Sequence, residues 1–201
     1  TWLLAESTLG NAINCDDALF IQLDDEVNFN VLSEGNILFN REHERININH
    51  LVVPRLNELQ ALINRGLPEV ERYQVQHQIT HRAIIQLIDL LYPNNHFSTN
   101  AEKIKFLCRN IIRQDKTALR ILDHLTDCLA YILMNLLHIF SAEKIMLNSS
   151  MLIVKDVLLE ELNQKLAAYF PHVKVAEVVM GKYEWNSPIV AAAAIKQGIY
   201  D

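Results

Sequence analysis

Glycine is scarce in this chain, with five in 201 residues, and none lies in the acidic turn Asp24-Asp25-Glu26-Val27-Asn28-Phe29-Asn30. A hairpin that cradles phosphate needs closely approaching backbone N–H groups, usually supplied through glycines, and no adjacent carboxylates. The turn offers neither, and it reads as a solvated turn or as a cation site built from its three carboxylates. No Walker loop, Gly-x-Ser-x-Gly or catalytic Cys/His grouping is present. Cysteine is equally sparse: Cys15, Cys108 and Cys128 are odd in number, far apart and free of any CxxC spacing. They read as small buried thiols of a reducing cytoplasm, with a disulfide or metal role as the alternative. Positive charge is short, 18 Lys and Arg against 24 Asp and Glu for a net charge of −6. That balance argues against a nucleic-acid surface within the chain. Long apolar runs are missing too. The strongest, Leu129 to Leu137, contains Asn135 and is too short to span a bilayer, and no signal peptide precedes it.

What is there can build a core. Half the residues are hydrophobic and 21% are charged, which excludes disorder and suits one domain or one lobe. Strand chemistry is concentrated at residues 19–39. Leu19, Ile21 and Leu23 alternate with Phe20 and Gln22; Val27, Phe29 and Val31 alternate with Asn28 and Asn30. After Ser33-Glu34-Gly35-Asn36, Ile37-Leu38-Phe39 begins a third run, so the segment reads as a three-stranded antiparallel meander.

Most of the remainder reads helical. Pro54 suits the first turn of a helix to Asn64 capped by Gly66, and Pro68 opens a stretch through Gln78. Thr80 to Tyr92 gives a third helix, stopped by Pro93. Ser98-Thr99-Asn100 offers capping oxygens for a helix from Ala101 to about Arg113. Asp115 caps a long helix to Phe140 with Leu122, Leu125, Leu129, Ile132 and Leu136 on one face. A short strand at 144–148, an amphipathic helix from Met151 to Phe170 and a strand at 173–179 make a right-handed crossover unit. A last helix, Ile189 to Gln197, follows Ser187 and Pro188. The pattern predicts an α/β domain: a meander, a helical insert at about 54–113 and a closing βαβα. Thr1 enters directly in a helical pattern without an initiating Met, and Asp201 follows a helix at once, so the chain reads as a fragment.

Candidate ligand-binding residues are few. His77 and His81 have i, i+4 spacing but lack the Glu of HExxH and straddle the cap at Thr80, which argues against zinc. His124 and His138 read as core or interface residues. His43 and His50 bracket Glu44-Arg45-Ile46-Asn47-Ile48-Asn49, whose short polar groups suit a pocket near Asn47 and His50.

In order along the chain, several short motifs resemble the C-terminal lobe of the ROK family of sugar kinases and sugar-responsive repressors, most of all its Mlc/NagC-type repressors. Trp2-Leu3-Leu4-Ala5-Glu6 and Gly10 resemble the helix after the family's catalytic aspartate. Val27-Asn28-Phe29-Asn30 stands at its glycine-rich phosphate hairpin. Asn47-Ile48-Asn49-His50 resembles Glu-x-Gly-His of the sugar site, and Phe140 to Leu147 the segment before a glycine pair. Ser187 to Lys196 resembles the closing alanine-rich helix. The resemblance implies an actin-like ATPase (ribonuclease H-like) lobe over 1–201, with the N-terminal lobe and a helix-turn-helix upstream.

The departures carry the functional expectation. The three clustered cysteines of the family's zinc loop are missing after His50, and a structural zinc needs four ligands. Asn47 replaces an acidic sugar contact, and Glu58 matches the Glu beyond the zinc loop. Asn28 and Asn30, then Asn148 and Ser149, replace the nucleotide glycines. The resemblance thus implies a cytoplasmic, sugar-responsive regulator without kinase activity, cofactor or metal, binding a sugar, sugar phosphate or protein effector through Asn47, His50 and Glu58. DNA would be contacted through the missing N-terminal domain, and the lobe would form a homodimer or tetramer. An active ATP-dependent sugar kinase and a purely structural partner-binding lobe are the alternatives.

Overall fold

The structure, a computed structural model, describes residues 15–169, 171 and 177–181. Strand β1 (Ala18–Leu23) pairs antiparallel with β2 (Val27–Ser33), which pairs antiparallel with the two-residue β3 (Asn36–Ile37). On its other side β1 pairs in parallel with β4 (Lys144–Ser149), and β4 in parallel with β5 (Glu177–Met180). The described strands thus form one sheet in the order β3-β2-β1-β4-β5. The readings at residues 1–10, at 173–176 and beyond Gly181 lie outside the described residues.

Period-two alternation sorts the sheet into two faces. Phe29, Ile21, Leu147 and Met180 are register partners in one row, and all four are buried in the main hydrophobic core. The neighbouring row on the opposite face is polar: Asn28 pairs with Gln22, and Gln22 with Asn148. Asn148 is buried, and its Nδ2 has no hydrogen-bond partner among the described residues.

The α-helices among the described residues are α1 (Glu69–Arg72), α2 (His81–Leu91), α3 (Asn100–Ile112), α4 (Lys116–Ile139) and α5 (Lys155–Tyr169). Asp115 caps α4 by accepting from the amides of Thr117 and Ala118, and Thr99 and Glu102 form a reciprocal capping box on α3. Leu122, Leu125, Leu129, Ile132 and Leu136 of α4 are all buried, as their spacing predicts. Lys165 of α5 reaches back to α4, 2.6 Å from Asp123 Oδ1 and 2.7 Å from Asp127 Oδ1. Burial alone would lower its pKa. Hydrogen bonds that it donates to Asp123 and Asp127 outweigh that and hold it above the usual lysine value.

The insert departs from the expected helices. From Pro54 to Asn64 only a single 3-10 turn forms, at Glu58–Ala61. Leu51 to Val53 run as a ribbon against Tyr73 to Val75, with Val53 N–H donating to the Tyr73 carbonyl at 2.8 Å. The chain is therefore still extended when it reaches Pro54. Buried Gln60 then folds its side chain back, accepting from the amides of Leu56 and Asn57 and donating to the Pro54 carbonyl. Groups that a longer helix would have paired are satisfied locally. The stretch from Pro68 to Gln78 likewise splits into α1 and a 3-10 turn at Val75–His77.

Candidate functional site: the turns at the carboxyl ends of β1 and β4

Asn49 organises the first wall of the site. It is buried, its Oδ1 accepts from Val27 N–H at 2.9 Å, and its Nδ2 donates to the Val27 carbonyl at 3.0 Å. Asn47, exposed, accepts from the Asn49 amide at 2.8 Å and from Asn49 Nδ2 at 3.0 Å, an Asx turn that orients Asn49. His50 is exposed, with its Nδ1 3.2 Å from both Gln74 Oε1 and Gln76 Nε2. Asn47 and His50 therefore lie on one segment tied to the start of β2.

Glu58 faces elsewhere and forms an ion pair with Arg120 of α4. No hydrogen bond or ion pair among the described residues joins it to Asn47 or His50. Of the three expected ligand contacts, the structure brings two together. Asn49, which appears in the sequence only as a neighbour of Asn47, is the residue that anchors them.

The turn after β1 is closed on itself. Asp24 N–H donates to the Glu26 carbonyl at 3.1 Å, Asp25 N–H to Asp24 Oδ1 at 3.0 Å, and Val27 N–H to Asn49. These three main-chain donors of the turn each already have a protein acceptor. After β4, Met151 N–H is likewise taken, by Ser149 Oγ at 3.2 Å. The residues present do not fit a nucleoside triphosphate, because three carboxylates surround amides that are already engaged.

Among the described residues His50 belongs to no cluster of three His, Cys, Asp or Glu ligand atoms, and a structural zinc needs four ligands. The three cysteines are free and buried. Burial raises the Cys108 thiol to about 11 and pushes Cys128 up further, so neither is a ready thiolate ligand. His77 ends a 3-10 turn and His81 begins α2, so the pair shares no helix. His81 instead turns to the acidic turn: its Nδ1 is 3.0 Å from Asp24 Oδ1, and its Nε2 is 2.7 Å from Ser150 Oγ. Ligand atoms of Asp24, Asp25 and His81 lie within 4.8 Å of one another.

His124 is fully buried, with Nε2 2.9 Å from the Gln78 carbonyl and Nδ1 3.1 Å from Asn57 Oδ1. It is a core residue joining α4 to the insert. His138 is exposed, with Nδ1 2.8 Å from the Met134 carbonyl. A separate concavity of about 590 Å³ opens at the end of α2, where Phe106 packs edge-on against Tyr92 and tilted against Phe97. No helix among the described residues is long and apolar enough to cross a membrane.

The mixed sheet and its helices have the actin-like ATPase fold found in ROK family proteins. One similar structure is a ROK family transcriptional regulator, a homologue of the E. coli Mlc protein. It has a TM-score of 0.74 and 19% identity, over 99% of this chain and 50% of that one. A ROK hexokinase from Thermus thermophilus matches with a TM-score of 0.73 and 16% identity, over 100% of this chain and 64% of that one. A ROK family glucokinase from Streptomyces griseus, in complex with glucose and AMPPNP, gives 0.73 and 12% over 98% and 66%. The chain thus spans half to about two-thirds of the length of these proteins. Sequence comparison matches it to no protein-family model and to no curated protein.

Proposed function

We propose that this chain is the C-terminal effector-binding and oligomerisation lobe of a ROK-type, sugar-responsive transcriptional regulator of the Mlc/NagC kind, with its kinase activity lost. The observation that carries the reading is the engagement of the Asp24, Asp25 and Val27 amides by protein acceptors, in a glycine-free turn whose carboxylates would repel phosphate. The likeness to a ROK transcriptional regulator supports it. The net charge of −6 suits a lobe that leaves DNA to another segment. Exposed apolar side chains on helices, Ile112 and Ile139 among them, are material for contacts between copies. Asn47 and His50 are the effector contacts, for a sugar, a sugar phosphate or a protein effector. Glu58 joins them only if Arg120 releases it.

The whole protein, assayed for ADP formation with hexoses and hexosamines, should show no turnover above background. Turnover would establish the alternative, an ATP-dependent sugar kinase, which the equally good likeness to the hexokinase and glucokinase structures favours. In thermal shift, a sugar at a hundred times its dissociation constant adds about 2.7 kcal/mol of stability. That shift should vanish in Asn47→Ala and His50→Ala. A protein that responds to no sugar or sugar phosphate would be either a regulator with a protein effector or a partner-binding lobe.

A further inference from the structure

His81 bridges two turns that the sheet itself brings together. β1 and β4 are adjacent parallel strands in which Leu23 pairs with Ser149, so the next residues, Asp24 and Ser150, leave neighbouring carboxyl ends side by side. That end of a parallel sheet is where α/β folds place their chemistry. α2 begins at the same place, and His81 N–H donates to the Asp24 carbonyl at 2.9 Å, which sets the ring between the two turns.

The hydrogen bonds then order themselves. Asp24 Oδ1 can only accept, so His81 Nδ1 carries the proton at 3.0 Å. In the neutral ring Nε2 is then the acceptor, and Ser150 O–H donates to it at 2.7 Å. Ser150 is exposed and the His81 side chain keeps a fifth of its surface accessible, so a small molecule can reach the hydroxyl. A hydroxyl donating to an imidazole whose far nitrogen is held by a carboxylate is the arrangement that activates a serine nucleophile.

The geometry points to Ser150 as a nucleophile for small esters, with His81 as its general base and Asp24 as the residue that positions His81. Ser150 Oγ attacks the ester carbonyl while its proton passes to His81 Nε2. The alkoxide leaves with that proton, and an acyl group remains on Ser150. Water, deprotonated by His81, then releases the carboxylic acid and restores the serine. The carboxylates of Asp24 and Asp25 lie beside the His81 ring, so neutral or cationic esters are the class accepted and anionic ones are disfavoured. This inference stands on the hydrogen-bond chain alone and does not depend on the loss of kinase activity.

The test is labelling of the whole protein with a neutral alkyl fluorophosphonate, located by peptide mass spectrometry, alongside hydrolysis of p-nitrophenyl acetate. The serine oxygen displaces fluoride from phosphorus, and the serine proton leaves through His81. Native protein should be labelled at Ser150 and urea-unfolded protein should not. His81→Gln should slow labelling on the order of 100-fold, the scale of general-base assistance. Asp24→Asn should slow labelling, because an amide can donate to Nδ1 and no longer fixes the tautomer in which Nε2 accepts from Ser150. Asp24→Glu should restore it. Melting temperatures of all variants confirm that they fold. Absence of label from native Ser150, or labelling equally fast in His81→Gln, overturns the inference, whatever the ADP assay shows.

Discussion

Asn49 holds both polar groups of the Val27 main chain, accepting from its N–H at 2.9 Å and donating to its carbonyl at 3.0 Å. One side chain thereby joins the loop carrying Asn47 and His50 to the first residue of β2. Both partners are buried, so truncation leaves a donor and an acceptor without water. Asn49→Ala should destabilise the protein by about 2–3 kcal/mol, read as a lower urea midpoint at unchanged slope. Asn47→Ala, which removes only the exposed Asx turn, should lose less than about 1 kcal/mol.

Lys165 supplies a second joint, between α4 and α5. Its ammonium sits among Asp123, Asp127 and Thr126 Oγ1, with Glu161 3.5 Å away on its own helix. The Lys165 and Asp127 side chains are largely buried, so removing the cation leaves carboxylates facing one another in a poorly hydrated site. Lys165→Met should lower stability by about 3 kcal/mol in urea melts. Arg120→Met, which breaks the exposed pair with Glu58, should change it by less than about 1 kcal/mol.

These two joints show which parts of the fold the sequence makes legible. Leu19, Ile21 and Leu23 with Val27, Phe29 and Val31 announce β1 and β2 because one face of each strand enters the core, and alternation records that directly. The α4 stripe from Leu122 to Leu136 is legible for the same reason at helical spacing. Pro54 misleads because its preference for a first helical turn is local, whereas the ribbon at Leu51–Val53 and the folded-back Gln60 side chain are tertiary. The polar segment of Asn47 and His50 is legible from its run of short polar residues, but the role of Asn49 is not, because its partner lies 22 residues away. The His81 contact with Ser150 spans 69 residues and leaves no periodic or spacing signal at all.

The turn between β2 and β3 carries a correctable strain. Glu34 has φ of 50° and Gly35 of 74°, the pair of left-handed residues that a tight hairpin turn of matching twist requires. Glycine meets that requirement without penalty, but glutamate does not. The Glu34 groups in use are its main-chain amide, donating to Asp17 Oδ1, and its carbonyl, accepting from Asn36 Nδ2. Glu34→Asn keeps both and suits the backbone better, so it should raise stability by about 0.5–1 kcal/mol, seen as a higher urea midpoint.

His124 makes stability depend on pH. Burial is the main influence and holds the imidazole below its usual value, against the opposing pull of the Gln78 carbonyl, Asp127 and Asp123. An unfolded histidine takes its proton near pH 6.5, so below that value the unfolded chain binds more protons than the folded one. Stability should therefore be level above about pH 6.5 and fall as the pH drops from there toward the depressed folded value. His77 is lowered by burial too, in the same direction, and adds to the slope. Urea melts between about pH 5.5 and 7.5 should show that decline, above the range where carboxylates titrate. His124→Gln removes the buried titrating ring, so the decline should become shallower even though the variant starts from lower stability. A decline that became steeper in the variant would mean that His124 is protonated in the folded protein, with both ring nitrogens donating, and an unchanged one that it binds its proton equally in both states.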